Sequence, residues 1–350
     1  MTLRVLVMTR EVAGFTGSEI IAWEVAEWFA SRGDDVLVGA VSFGAPMSGL
    51  ERSFAVTTDL LDLDLSGFDL VWSQHQTHLR VRQGLERCVR RMRLPLIVSA
   101  SLSPFEPEEH LDAIVARAAR AEVWTNSDET AEFVSRVNRR FIRTSAIHRF
   151  HNAAPEAFWE PAPPPRDELR SLLVVSNHVP LEVREAIGIL RAGGLKVRVV
   201  GIDDEPRRVD RGMIVDADAV VSIGKTVVDA IACRRPVYVY DRFGGDGWLH
   251  PARYAEGLRF NFSGRPLKRV LAAADLAEEL RSGYRAALAA MPALAAGASE
   301  LHLDAHLEPL RRRAARGGAR WRAARAGAAF RSRRFRSHLA TVRRLMGAPY

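Results

Sequence analysis

Four short segments bring glycine, hydroxyl, acidic and basic side chains together as a phosphate- and hydroxyl-binding site would use them. The first is Gly14-Phe15-Thr16-Gly17-Ser18-Glu19. Glycines there let backbone amides approach a ligand, and a helix opening at that point aims its amides the same way. A tight turn capped by Thr16 or Ser18 explains the same residues. The second is Ser176-Asn177-His178-Val179-Pro180-Leu181-Glu182, whose polar groups suit a pyrophosphate or a ribose, or a helix cap at Asn177. The third is Ser222-Ile223-Gly224-Lys225-Thr226. Amides at a helix start beside an ammonium make a phosphate site, although the upstream glycine of a P-loop is missing. The fourth is Tyr240-Asp241-Arg242-Phe243-Gly244-Gly245-Asp246-Gly247-Trp248. Gly244, Gly245 and Gly247 permit an unusual backbone path against a ligand, and Asp241 and Asp246 can accept hydrogen bonds from sugar hydroxyls.

All four segments fall at expected strand-to-helix turns. Apolar runs over 3–8, 35–41, 68–72, 94–99, 122–125 and 145–150 read as strands. A helix over 18–31 carries Ile21, Val25, Trp28 and Phe29 at helical spacing and stops at Gly33. The alternation restarts with strands over 171–176, 196–200, 219–222 and 236–240 and helices over 181–192 and 226–233. Continuous apolar strands separated by helices indicate parallel sheets covered on both faces. Pro155, Pro161, Pro163, Pro164 and Pro165 crowd the stretch between the two series, where neither helix nor central strand can continue. The expected architecture is α/β: a Rossmann-like domain over 1–154, a proline-rich hinge over 155–167, a second Rossmann-like domain over 168–290, and a basic helical tail over 291–350. Two such domains place a ligand cleft outside the carboxyl ends of their strands.

The segments resemble the GT-B glycosyltransferases, nearest to the group that includes family 4. The opening strand with Thr16-Gly17-Ser18-Glu19 resembles that group's glycine-rich first loop, and Val123-Trp124-Thr125-Asn126-Ser127 its late strand and "NS" turn. His151-Asn152-Ala153-Ala154-Pro155-Glu156-Ala157-Phe158 is similar to "PNGVD…F", which leads into the hinge. Asp229-Ala230-Ile231-Ala232-Cys233-Arg234-Arg235-Pro236-Val237 resembles "EAMACGRPV" of the donor-binding helix and strand. Of the two glutamates the family places eight apart, the second is Asp229 here and the first falls on Val221. The resemblance implies a sugar transferred from a nucleotide-diphosphate donor of UDP or GDP type to a glycan, a lipid-linked or a small-molecule acceptor, as in surface-glycan synthesis. Retention or inversion at the anomeric carbon stays open.

It further implies that the diphosphate lies on the second domain, against Lys225 and the amides of Gly224, Thr226 and Val227, with Ser176, Asn177 and His178 nearby. Asp229 would bind ribose or sugar hydroxyls, with Gly244, Gly245 and Asp246 lining the donor. Thr16 and Gly17 would form the facing loop. No cofactor or bound metal is expected. A catalytic base would come from the first domain, where His75 and Glu11 are the candidates; a lone histidine at a strand end also serves structural roles. A non-catalytic nucleotide-sugar or glycan-binding protein and a nucleotide-sugar epimerase are the alternative readings.

Charge is unevenly spread. Residues 309–350 hold 13 arginines and no acid, while the preceding 308 residues carry 37 basic and 42 acidic side chains. Trp321, Ala324, Ala328, Phe335, Leu339, Val342 and Met346 recur near helical spacing, with Arg322 and Arg325 among the residues around them. This pattern suits a helix lying on an anionic membrane surface, or one packed back onto the first domain. No nucleic-acid readout module is recognisable, so nucleic acid is not an expected partner. No apolar stretch reaches the ~18–20 residues of a membrane span. The lone Cys88 and Cys233 make no disulfide framework and suit the cytoplasm, with peripheral attachment to the inner face of the plasma membrane through the tail.

Overall fold

The computed structural model describes residues 1–75, 77, 87–105, 121–138, 142–318 and 322. The chain divides into two compact units: Met1–Gly14, Ser18–Arg149 and Leu307–Tyr350 form unit 1, and Phe15–Gly17 with Phe150–His306 form unit 2.

Unit 1 is built on seven parallel strands: β1 (Arg4–Val12), β2 (Asp35–Phe43), β3 (Ala55–Thr57), β4 (Leu70–Gln74), β5 (Leu96–Ser101), β6 (Glu122–Thr125) and β7 (Ile147–Arg149). Their order is β3-β2-β1-β4-β5-β6-β7. Strand β1 runs past the apolar stretch because its backbone keeps pairing with β2, Glu11 opposite Ser42 and Val12 opposite Phe43. Edge strand β3 has no apolar run to announce it. Helix α1 (Gly17–Ser31) buries Ile21, Val25, Trp28 and Phe29, and it ends as its glycine predicts. Gly33, at φ 76°, donates to Ala30 O (3.0 Å) while Asp34 N donates to Phe29 O (3.2 Å), a Schellman closure. Helix α2 (Asp128–Val137) starts from Ser127, whose side chain accepts from Thr130 N.

Unit 2 has parallel strands β8 (Ser171–Val175), β9 (Lys196–Val200), β10 (Ala219–Ser222) and β11 (Val237–Asp241), plus β12 (Gly244–Trp248), antiparallel to β11. The order is β12-β11-β10-β8-β9. Its helices are α3 (Glu156–Trp159), α4 (Leu181–Ala192), α5 (Arg211–Asp216), α6 (Lys225–Ala232), α7 (Pro251–Arg259) and α8 (Ala273–Ala296). Leu172 and Val174 of β8 pack with α4 and α8, while Leu173 between them packs with α6 on the other face. That is burial on both faces, as the continuous apolar run required. Cys88 and Cys233 are buried free thiols, and among the described residues no helix is long and apolar enough to cross a membrane.

Three expected boundaries shift. Unit 2 takes up the chain at Phe150 and keeps it to His306, and the proline-rich segment is tied there. Buried Arg235 donates to Pro163 O (2.8 Å) and to Val215 O (2.7 Å). Buried Asp218 accepts from the amides of Arg166 (3.3 Å), Arg170 (2.9 Å) and Ser171 (2.8 Å). The boundary at 290 falls inside α8. The start of the tail forms α9 (Leu303–Ala315), and two of its arginines tie it within unit 1. Arg311 pairs with Asp34 (2.7 Å) and Arg313 with Glu122 (2.8 Å). Of the two positions expected for the tail, a lipid surface or packing onto the first domain, Arg322 takes the packed one: it is 9% exposed and donates to Leu94 O (3.0 Å). Trp321, Ala324 and the rest of the apolar stripe lie outside the described residues.

Burial alone would raise the Asp218 carboxyl, but the three amides and the Ser171 hydroxyl outweigh it and hold it below the usual carboxylate range. A depressed folded pKa contributes stability that is present above about pH 4 and lost as pH falls through the folded value. Asp218→Asn should therefore be less stable than the parent at pH 7, with the gap closing below about pH 4. Denaturant midpoints measured from pH 3 to 7 check this, and a gap independent of pH contradicts it.

Candidate functional site

Each sheet reverses its direction of strand addition once. In unit 2 the chain passes from β8 to the edge strand β9, then returns to add β10 and β11 on the other side. The reversal lies between β8 and β10. In unit 1, β2 and β3 add to one side of β1 and β4 to the other, so the reversal lies between β1 and β4. Open α/β sheets bind ligands outside the carboxyl ends of their strands at such points.

At the unit 2 reversal, Ser222 Oγ donates to Val175 O (2.8 Å), joining the ends of β10 and β8. The chain leaving β8 is shaped by Ser176. Its amide donates to Val200 O (3.0 Å), its hydroxyl donates to Asp241 Oδ1 (2.8 Å), and it accepts from His178 N (3.1 Å). Asn177 is half-buried and His178 exposed. Burial pushes the Asp241 carboxyl above its ordinary value, against the Ser176 hydrogen bond that lowers it. Ser176 and Asp241, 65 residues apart in sequence, thus form one polar wall across the strand ends.

The third segment opens α6 as expected, with two corrections. Gly224 sits at φ 62°, and its amide is already engaged, donating to Phe262 O (3.1 Å). Val227 N donates back to Gly224 O (3.2 Å), so the amides that open the helix towards a ligand are those of Lys225 and Thr226. Lys225 is 8% exposed and Asp229 is 4% exposed. The ammonium forms a short ion pair with Asp229 Oδ1, one helical turn on, and lies 5.5 Å from the Phe158 ring centroid. Sequence presents the two as separate ligand groups; the structure makes them partners, because positions i and i+4 share a helix face. Burial drives the Asp229 carboxyl above its ordinary range, against the lowering pull of Lys225.

The glycine-rich fourth segment is a strand rather than an open loop, and its glycines have partners in the protein. A Cβ on Gly244 would stand 2.6 Å from Arg269 O, and one on Gly245 2.4 Å from both Val239 O and the Tyr240 ring. Asp246 accepts from Leu267 N (2.9 Å), and burial raises its carboxyl against that bond. Close packing within unit 2 therefore accounts for Gly244, Gly245 and Asp246. Similarly, Asn152 of the "PNGVD"-like segment donates to Asn261 Oδ1 (2.8 Å), both residues holding positive φ, 53° and 56°.

At the unit 1 reversal, β4 ends at Gln74 and His75 follows at φ 51°, a left-handed backbone unusual for a non-glycine residue. Its Nδ1 lies 3.3 Å from Thr9 Oγ1 and accepts from Arg10 N (3.4 Å). Glu11 is exposed, 3.7 Å from Arg10 Nε. Thr16 and Gly17 group with unit 2. The residue that shapes the first loop is Glu19. Its buried carboxylate accepts from the amides of Ala13 (2.8 Å) and Gly14 (2.9 Å). A side-chain carboxyl of unit 1 itself thus engages two amides of the glycine-rich loop.

Among the described residues no three His, Cys, Asp or Glu gather as a metal site would require. No protein-family model matches the chain, and no curated protein matches it in sequence. Solved structures do resemble it. An α-glucosyltransferase in complex with UDP and a 13-mer DNA containing a central A:G mismatch is similar at a TM-score of 0.52 and 8% identity, over 90% of this chain and 100% of that one. An α-glucosyltransferase in complex with UDP-glucose and DNA containing an abasic site reaches 0.52 at 9% identity, over 89% and 98%. One in complex with UDP reaches 0.50 at 10% identity, over 90% and 100%. At such identities the likeness is one of fold.

Proposed function

Proceeding from the GT-B fold shared with these glycosyltransferases, we propose that the chain transfers a sugar from a nucleotide-diphosphate donor of UDP type. The observation that carries the proposal is the unit 2 reversal, where Ser176, Asn177 and His178 at the end of β8 flank the first turn of α6. Two negatively charged phosphates are stabilised by the first amides of α6 and its dipole, with Thr226 at the second helical position. Asp241 supplies an acceptor for ribose or sugar hydroxyls, held in place by the Ser176 hydroxyl that donates to it. Lys225 acts on phosphate once it parts from Asp229, and Asp229 then takes hydroxyls of the donor. Electrostatic stabilisation of the departing diphosphate is the main rate-raising term such a site offers. Unit 1 carries the acceptor, with His75 and Glu11 at its reversal point.

The UDP and UDP-glucose complexes of the similar structures support the donor class. Their DNA complexes leave the expectation that nucleic acid is not a partner without support. Seven arginines and no acid follow Arg322, a composition that suits an acceptor carried on a phosphate-rich surface, lipid or nucleic acid. The test is binding and hydrolysis of UDP-, GDP- and dTDP-sugars by the full chain, with and without Mn2+. Glycans, anionic vesicles and DNA then serve as acceptors. UDP-sugar binding with slow hydrolysis is expected; no binding of any nucleotide sugar at millimolar concentration removes the proposal.

A further inference from the structure

We infer that unit 2 carries a second binding site, at the amino ends of β8 and β9, and that it takes a small organic phosphate monoester. The glycosyltransferase reading places its donor at the carboxyl ends of the same sheet, so the two stand or fall separately. Strand β8 is five residues long, which sets its ends about 16 Å apart.

The chain enters β8 through Leu169 and Arg170, and enters β9 through Leu195, just past the Gly193-Gly194 pair that ends α4. Helix α8 shares a core with α4, Leu280 and Tyr284 packing with Leu190. Arg281 and Arg285 stand one turn apart on α8 and so on one face. Between these elements lies a cavity of about 460 Å³ lined by Arg170, Arg281, Arg285 and Glu168, with Leu195 and the Tyr284 ring among its apolar walls. That volume lies in the range of small-molecule sites. Gly193 makes room for the arrangement: a Cβ there would stand 1.9 Å from Arg281 Nη2. The guanidinium thus lies on the glycine that ends α4, where the last carbonyls of the helix favour a cation.

What the cavity can offer follows from the hydrogen bonds its walls already make. The amides of Gly193, Gly194 and Leu195 donate to Ile189 O, Arg191 O and Leu190 O, each at 3.0 Å. Arg170 N donates to Asp218 (2.9 Å). Ser282 gives its hydroxyl proton to Glu278 O (2.8 Å) and Tyr284 gives its own to Arg166 O (2.5 Å). The side-chain donors left are guanidinium N–H groups, five on each arginine. Arg281 spends one nitrogen on Leu190 O (3.3 Å). Arg170 spends one on Glu168 Oε2 (3.1 Å), and Arg285 stands 3.9 Å from Glu168 Oε1. Three cations therefore share one carboxylate. Its side chain is 60% exposed, so the pairing is weak and an incoming oxyanion can take its place. Guanidinium forks match phosphate oxygens two at a time. A phosphate monoester brings about two negative charges at pH 7, which answers the two that Glu168 leaves uncompensated. The remaining volume takes the organic part.

Titration calorimetry of ribose 5-phosphate into the full chain at low salt tests this. Saturable binding with a Kd of about 1 mM or tighter is expected, and none up to about 10 mM overturns the site. Arg281→Gln and Arg285→Gln should each weaken binding about tenfold or more, the size of a charge-assisted bond to phosphate. Arg285 is 76% exposed in its side chain and makes no closer ion pair than 3.9 Å, so that variant keeps the fold even if Arg281→Gln loosens the end of α4. Glu168→Gln should tighten binding about two- to fivefold, because the competing carboxylate of an exposed pair is gone. Glu308→Gln removes the same charge from the pair with Arg312 on α9 and should change nothing. Parental affinity in both arginine variants overturns the inference. So does an equal gain in Glu168→Gln and Glu308→Gln, which would report net charge and not this cavity. Vesicles of phosphatidate in phosphatidylcholine separate a lipid headgroup from a free ligand. Vesicle binding that needs Arg285, with no binding of ribose 5-phosphate, overturns the small-molecule site.

Discussion

Lys225→Ala is expected to destabilise unit 2 by about 3–5 kcal/mol, the range for removing one partner of a buried ion pair. The variant leaves Asp229 at 4% exposure without its ammonium. Burial already holds that carboxyl above its ordinary value even with Lys225 beside it. Removing Lys225 takes away the lowering influence and raises it further. A carboxyl whose folded pKa lies above its unfolded value contributes stability that is complete below about pH 4 and is lost as pH rises through the folded value. The loss in Lys225→Ala should therefore be largest at neutral pH and shrink on acidification. The double variant Lys225→Met, Asp229→Leu should lose less than Lys225→Ala, because no uncompensated charge stays buried. Chemical denaturation at pH 5 and pH 7.5 measures both comparisons. Equal losses at the two pH values, or a double variant worse than the single one, would show that the pair is not what holds this helix face. The same variant also bears on function. If Lys225 parts from Asp229 to meet phosphate, Lys225→Met should weaken UDP more than uridine in the protein that stays folded.

Gly201→Ala should couple a stability loss to a loss of donor affinity. An added Cβ would stand 1.8 Å from Ser176 O and 2.8 Å from Ser176 C, and neither backbone atom can rotate away. Relief requires the Ser176–His178 turn to retreat from the end of β9, breaking the Ser176 N–Val200 O bond (3.0 Å) and the bond from Ser176 to Asp241 (2.8 Å). Overpacking of this kind typically costs about 1–3 kcal/mol, more when only backbone can yield. UDP affinity should fall in parallel, since the displaced turn is the wall of the proposed diphosphate site. Gly188→Ala is the control. It lies inside α4 with nothing within 4 Å of a new Cβ, so helix propensity should stabilise it by up to about 1 kcal/mol. Thermal denaturation and UDP titration of the two variants read out the contrast. A Gly201→Ala protein with parental melting and parental UDP affinity would separate this turn from the site.

What was legible in the sequence was set by neighbours along the chain. Continuous apolar runs such as 171–175 announced strands covered on both faces, because a parallel strand has no polar side to show. The spacing of Ile21, Val25, Trp28 and Phe29, closed by Gly33, announced α1, because helix periodicity and its left-handed stop are local. The chemistry-bearing segments stand out because strand-to-helix turns concentrate glycine, hydroxyl and cap residues. Their division of labour depended on distant partners. Gly244 and Gly245 suit a ligand loop by type alone, but Arg269 and Tyr240 fill the space a side chain would need. Lys225 and Asp229 are two ligand groups by type, and burial on one helix face makes them a pair. Ser176 meets Asp241 from 65 residues away, and His75 meets Thr9 from 66. A polar group's type is written in the sequence. Whether it faces a ligand or another part of the same chain is decided when strands far apart in sequence pair, because only then are its solvent and its hydrogen-bond partner chosen.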